Sequence, residues 1–220
     1  MFTRRDSQLG KIERFLLGIN KRMKKFSEFK SDSRGHLSVW DIDETLFQTK
    51  AMVHVIKAGK RIKSLSNREF NAYKLKAGES FDFTEFRDAK LFNKTSVPIQ
   101  RAIDKAAKTL EAYAKLPNSK VVVLTARSDF DDKDTFLSTF EKHGLNMSDV
   151  HVHRAGNLGM PSPQAKRIFI QQYLNTGMFK TVSLFDDDPK NLEVFLSLRK
   201  QFPDVKFTAY LANHGYFRKV

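Results

Sequence analysis

From residue 37 onward the chain alternates short apolar or β-branched runs with stretches whose apolar residues recur at helical spacing, and few folds accommodate that alternation. Five strands are predicted at Leu37 to Asp41, Lys120 to Thr125, Asp149 to His153, Thr181 to Phe185 and Val205 to Leu211. Most are continuous apolar runs, the pattern of strands buried on both faces of a parallel sheet. Between them, Pro98 to Lys115 puts Ile99, Ala102, Ile103, Ala106 and Leu110 on one helix face, with Ser96 as a candidate cap. Further helices are expected over Asp131 to His143, closing at Gly144, from Ser162 and Pro163 to about Asn175, and over Pro189 to Gln201. The prediction is an α/β fold: a Rossmann-like, five-stranded parallel sheet with helices on both faces.

About fifty residues between the first strand and the Pro98 helix, taken as 50–97, do not follow parallel-sheet logic and read as an insertion within a domain spanning 31–220. Met52 to Ile56 and Arg61 to Leu65 flank Ala58-Gly59-Lys60 as a hairpin would, and Ser66 can cap a short helix through Tyr73. Residues 1–30 form a separate extension. Leu9, Ile12, Leu16, Ile19, Met23 and Phe26 mark one face of a basic amphipathic helix, which either docks on the core or contacts nucleic acid or another anionic surface.

Cysteine is absent, so disulfides, thiolate metal sites and a cysteine nucleophile are excluded. No apolar run is long enough to span a bilayer and no secretory signal is evident, so a cytoplasmic protein is expected. The formal net charge is +14. Residues 1–30 and 50–97 carry +6 each, which points to a polyanionic partner for those segments.

Two strands end in carboxylates. The first gives Val39-Trp40-Asp41-Ile42-Asp43-Glu44-Thr45, and the fourth gives Ser183-Leu184-Phe185-Asp186-Asp187-Asp188-Pro189-Lys190-Asn191. Asp188 before Pro189 reads as a helix cap. If both strand ends share one crevice of a parallel sheet, Asp41, Asp43, Asp186 and Asp187 crowd together, and such packing is costly without a cation. All-oxygen ligands suit Mg²⁺. Thr125, ending a third strand, can bind a phosphate oxygen, and Lys166 stands twenty residues before Asp186.

In that order, these segments resemble the four motifs of the haloacid dehalogenase-like hydrolases: Asp-x-Asp-x-Thr, a strand-end Thr, a Lys and an acidic pair. The similarity covers Leu37 to about Leu211. It implies that Asp41 is a nucleophile forming an aspartyl-phosphate and that Asp43 is its acid and base. It further implies that Thr125 and Lys166 hold the phosphoryl group and that Thr45 orders the loop. By the same resemblance Mg²⁺ is held by Asp41, Asp186 and the backbone carbonyl of Asp43, with Asp187 in support. The second aspartate argues for phosphatase over dehalogenase chemistry.

Basic charge on the insertion suits a nucleotide or a terminal phosphate of DNA or RNA as substrate. Arg127, His153 and Arg154, at neighbouring strand ends, are candidate phosphate contacts. Two other readings stand beside this one: a nucleic-acid or assembly-binding protein using the hydrolase core as a scaffold, and a small-metabolite phosphatase.

Overall fold

The computed structural model describes residues 33–220, of which Arg34–Val220 form one compact unit. The basic helix expected over residues 8–30 lies outside the described residues. The structure is mixed α/β. Strands β1 (Gly35–Trp40), β7 (Lys120–Thr125), β8 (His151–Arg154), β9 (Phe179–Asp186), β10 (Lys206–Asn213) and β11 (Tyr216–Lys219) form a six-stranded sheet in the order β11-β10-β9-β1-β7-β8. The first five are parallel, and β11 adds an antiparallel edge. The five-stranded expectation is therefore corrected. The sixth strand folds back through a two-residue turn in which His214 and Gly215 both have positive φ, 46° and 83°, the conformation a tight hairpin requires.

Helices α3 (Gln100–Tyr113), α4 (Lys133–Glu141), α5 (Ser162–Asn175) and α6 (Pro189–Ser197) make the crossovers. Strand residues alternate between two cores. Trp40, Val121, Val123 and Phe185 pack with Ala102, Ile103 and Ala106 of α3 and Phe136 and Phe140 of α4. Val39, Val122, Leu124, Val182 and Leu184 pack with Ala165 and Ile170 of α5 and Leu192 and Phe195 of α6. Covering both faces is what continuous apolar strands demand.

Helix ends follow local chemistry only in part. Asp188 caps α6 by accepting from the Lys190 N–H, and Gly144, just beyond α4, has φ 95°. Two expected caps are corrected. Ser96 ends the preceding helix α2 (Ala89–Thr95), and α3 starts after Ile99 with no side-chain cap. Ser162 lies inside α5, where its hydroxyl donates to Asn191 Oδ1 at 3.4 Å rather than capping the helix.

The insertion begins after the two-residue strand β2 (Phe47–Gln48), which pairs with β6 (Val97–Pro98) at its far end. Inside it, β3 (Val53–Lys57), β4 (Lys60–Leu65) and β5 (Glu79–Asp82) form a sheet ordered β4-β3-β5. The β3–β4 turn is Ala58-Gly59, and Ser66 with Glu69 forms a capping box on α1 (Asn67–Ala72). Val53, Val55, Leu65 and Phe86 give the insertion its own small core. Sequence periodicity did not signal β5 or α2. Among the described residues no helix is long and apolar enough to cross a membrane.

Candidate active site

Chain order 1, 7, 8 runs outward on one side of β1, and β9 then returns to its other side, so the sheet reverses direction between β1 and β9. Crevices at such switch points, beyond the carboxyl ends of the strands, are where open parallel sheets bind ligands. The register pairs Trp40 with Phe185, so the next residues, Asp41 and Asp186, stand side by side. The Asp41 N–H donates to the Phe185 carbonyl at 2.9 Å. Alternation aims both carboxylates the same way as Val39 and Leu184, toward α5.

Lys166 projects from the second turn of α5 into that space. Its Nζ donates to Asp41 Oδ1 at 2.6 Å and to Asp186 Oδ2 at 2.7 Å. The other Asp186 oxygen accepts from Asn191 Nδ2 at 2.8 Å and from the Asp188 N–H at 3.0 Å. Asp186 is thus fully buried and held on both oxygens, which excludes a solvated turn role. Asn191 had no assigned role before the structure. Its signal is its place in the first turn of α6, facing back to the strand end.

Asp41, Asp186 and Asp187 each offer an oxygen within 4.8 Å of the others. Burial pushes the Asp41 carboxyl well above the usual range, and Asp186, Asp187 and Asp43 add to the rise while Lys166 opposes it. Burial, followed by the charge of Asp186, pushes Asp187 up to about 7. At Lys166 burial opposes the charge, but Asp186 and Asp41 outweigh it and raise the ammonium above its ordinary range. Three carboxylates and one ammonium leave two negative charges uncompensated. An all-oxygen donor set of that charge fits a hard divalent cation.

Asp43 goes elsewhere. Both its oxygens are taken by Arg127, from Nε at 2.9 Å and from Nη2 at 2.6 Å. Arg127 is 3% exposed and also donates to Thr49 Oγ1 and the Phe86 carbonyl. Its guanidinium lies 4.6 Å from the Phe86 ring centre and 4.9 Å from that of Phe92. Arg127, expected as a phosphate contact, instead has four of its five N–H donors engaged in pinning Asp43 to the insertion. A strand-end Thr-Ala-Arg read alone cannot reveal a partner 84 positions away.

The remaining expected residues divide. Thr125 is buried, and its Oγ1 accepts the Arg127 N–H at 3.1 Å. Arg154 ends β8 in an ion pair with Asp129 at 2.6 Å. His153 is corrected too, because its Nε2 lies 2.7 Å from the Tyr173 hydroxyl on the α5 side of edge strand β8. Thr45 is fully buried, and its hydroxyl has no hydrogen-bond partner among the described residues. The loop it was expected to order is instead closed by the Thr45, Leu46 and Phe47 N–H groups, all donating to the Ile42 carbonyl.

This contrast gives a stability test. Thr45→Val removes an unpartnered hydroxyl and should leave thermal unfolding unchanged or raise its midpoint, whereas Thr125→Val strands a buried N–H and should cost about 1–3 kcal/mol. Circular-dichroism melts of the two variants check the difference.

No family model matches the chain, and no curated protein matches it.

Proposed function

We propose that the chain is a magnesium-dependent phosphomonoesterase of the haloacid dehalogenase-like kind, acting on nucleotides or terminal phosphates of DNA or RNA. One observation carries the reading: Asp41, Asp186 and Asp187 converge within 4.8 Å at the sheet's switch point, with Lys166 bridging the first two. Solvated acids of a structural turn would spread apart; here Asp41 and Asp186 are buried and Asp187 half-buried beside them despite mutual repulsion. The substrate class rests on the +14 net charge and on the basic insertion.

In this proposal Asp41 attacks phosphorus, the bond from phosphorus to the leaving oxygen breaks, and Asp43 gives that oxygen a proton. Water then attacks the aspartyl-phosphate, passes its proton to Asp43 and releases phosphate, restoring Asp41. Lys166 holds one Asp41 oxygen and orients the other, and its charge offsets that of the phosphoryl group. Both Asp43 oxygens are paired with Arg127, so proton transfer requires one of those contacts to open. Arg127 is thereby a positioning residue. Mg²⁺ would be held by Asp41, Asp186, Asp187 and the backbone carbonyl of Asp43, and when bound it neutralises developing negative charge.

Phosphate release from nucleotides or phosphorylated oligonucleotide ends, present with Mg²⁺ and absent with chelator, is the direct test. Hydrolysis confined to sugar phosphates would remove the substrate assignment.

The Asp187 shift predicts how pH acts on the metal-free protein. Its carboxyl keeps a proton up to about pH 7 when folded, against 3.8 ordinarily, so the folded state binds more protons between those values. Stability from this group is therefore greatest at low pH and is lost as pH rises toward 7. Mg²⁺ competes with that proton. Its stabilising effect in thermal melts should be small near about pH 5 and level off above about pH 7. A metal-induced shift that did not change with pH would contradict the assignment of Asp187 to the metal.

A further inference from the structure

Outside the acidic site, the structure has a groove of about 830 Å³ between α3 and the β10–β11 hairpin. Arg101, Lys105 and Lys108 line it from one face of α3, at intervals of four and three residues, and all three are exposed. At 1.5 Å per residue they span about 10 Å, the reach of two to three phosphates of a strand. The only acid lining the groove among the described residues, Asp104, accepts from Gln100 Nε2 at 2.7 Å.

Aromatic rings accompany the cations. Tyr216 is 65% exposed, and the Arg101 guanidinium lies 4.4 Å from its ring centre. Lys105 Nζ lies 5.8 Å from the centre of the half-buried Phe217 ring. Tyr216 therefore keeps an exposed ring at the mouth of the groove, next to Arg101. Stacking rings interleaved with cations are what unpaired bases and their phosphates require.

The Gly215 end of the groove lies toward the carboxyl ends of the strands, the end of the sheet at which Asp41 and Asp186 stand. The groove is on the α3 face, whereas those carboxylates aim toward α5. Leu211 pairs with Asp186, and β10 continues two residues further before the turn at His214 and Gly215. His214 Nδ1 lies 2.9 Å from Gln48 Nε2, in the segment that follows Asp43. Gly215 seats this turn against α3, since a Cβ there would stand 3.0 Å from Arg101 Cβ and 3.1 Å from Ile99 Cγ2.

We infer that this groove binds single-stranded nucleic acid, with phosphates along Arg101, Lys105 and Lys108, a base stacked on Tyr216, and one end directed to the acidic strand termini. The inference rests on the phosphomonoesterase reading only for what happens to a terminal phosphate. Binding itself stands on the groove.

The test is fluorescence anisotropy with a labelled, unphosphorylated single-stranded oligonucleotide of roughly twelve nucleotides, in chelator, using the full chain. Tyr216→Ala should weaken binding about tenfold. Lys105→Glu with Lys108→Glu should weaken it more and flatten the slope of log affinity against log salt by about 1.4, as expected for two lost phosphate contacts. Circular-dichroism melts verify that both variants fold. Unchanged affinity in the folded variants would overturn the groove, and so would equal competition by duplex DNA or by poly-glutamate. Wild type that binds the oligonucleotide but hydrolyses no phosphomonoester supports the groove and sinks the enzyme reading. Wild type that hydrolyses a small phosphate ester but binds no oligonucleotide does the reverse.

Discussion

Asp41→Asn is expected to abolish phosphate release, by on the order of 10⁴-fold or more, while the protein stays folded. The amide nearly matches the carboxylate in shape but is not a nucleophile toward phosphorus. Its effect on the metal-free fold should run the other way. Asp41 is 4% exposed and shares its crevice with Asp186 and Asp187, so the amide replaces a carboxyl whose ionisation burial and those neighbours already disfavour. Lys166 keeps its contact with Asp186 at 2.7 Å and is not left alone. The melting midpoint in chelator should therefore hold or rise as turnover disappears, and the stabilisation by Mg²⁺ should shrink. Turnover by Asp41→Asn at the wild-type rate would exclude the aspartyl-phosphate route. A steep loss of stability would mean that Asp41 is chiefly a partner for Lys166.

Arg127→Leu should damage the fold strongly, costing about 3 kcal/mol, the low end of the range for removing one partner of a buried ion pair because the Asp43 side chain is 18% exposed. For a chain of this length that lowers the melting midpoint by roughly 10 °C. Three parts of the structure lose their common anchor at once. Asp43 is left with an unpaired carboxylate, the Phe86 carbonyl and Thr49 hydroxyl lose a donor, and the rings of Phe86, Phe92 and Phe130 lose the cation between them. Arg127→Lys should recover part of this, keeping the charge without the two-pronged contact to Asp43. Adding Asp43→Leu to Arg127→Leu should recover part of the stability as well, because no unpaired charge is then buried. Thermal and denaturant unfolding of the four proteins measure both recoveries. If Arg127→Leu melted like wild type, the pair would be a surface contact and the positioning role would fall.

The insertion behaves as the chemistry of its turns dictates. His54, 2% exposed, lies between Ser64 Oγ and Glu85 Oε1 at 2.8 Å each, which ties β3 to β4 and to the segment before α2. Beneath Arg127, Phe47, Phe92, Phe136 and Phe140 are at most 1% exposed and meet mostly edge to face. Burying each such side chain contributes roughly 1.5–3 kcal/mol. Four of the chain's twenty phenylalanines thus form the platform on which the Asp43–Arg127 pair rests.

The strands and crossover helices of the parallel sheet were legible because burial on both faces leaves a continuous apolar run, and a one-sided helix leaves a 3.6-residue rhythm. Ser66, Asp188 and Gly144 were legible because caps act within a few residues. The acidic strand ends at Asp41 and Asp186 could be read as local patterns, as could the Thr125 terminus, whereas Lys166 was singled out only by its place in the order of the motifs. Other features were not local. Register brings residues 41 and 186 together, Arg127 turns from substrate toward Asp43, Ser96 and Ser162 lose their capping roles, and β11 adds a sixth strand. All but β11, which pairs with its chain neighbour β10, depend on which other segment lies alongside. Sequence alone determined the kinds of element and the chemistry at their ends, since these follow from residues within a turn or two of one another. Tertiary structure alone decided which of those ends meet, because the pairing of β1 with β7 and β9, which sets the register at the acids, joins segments more than eighty residues apart.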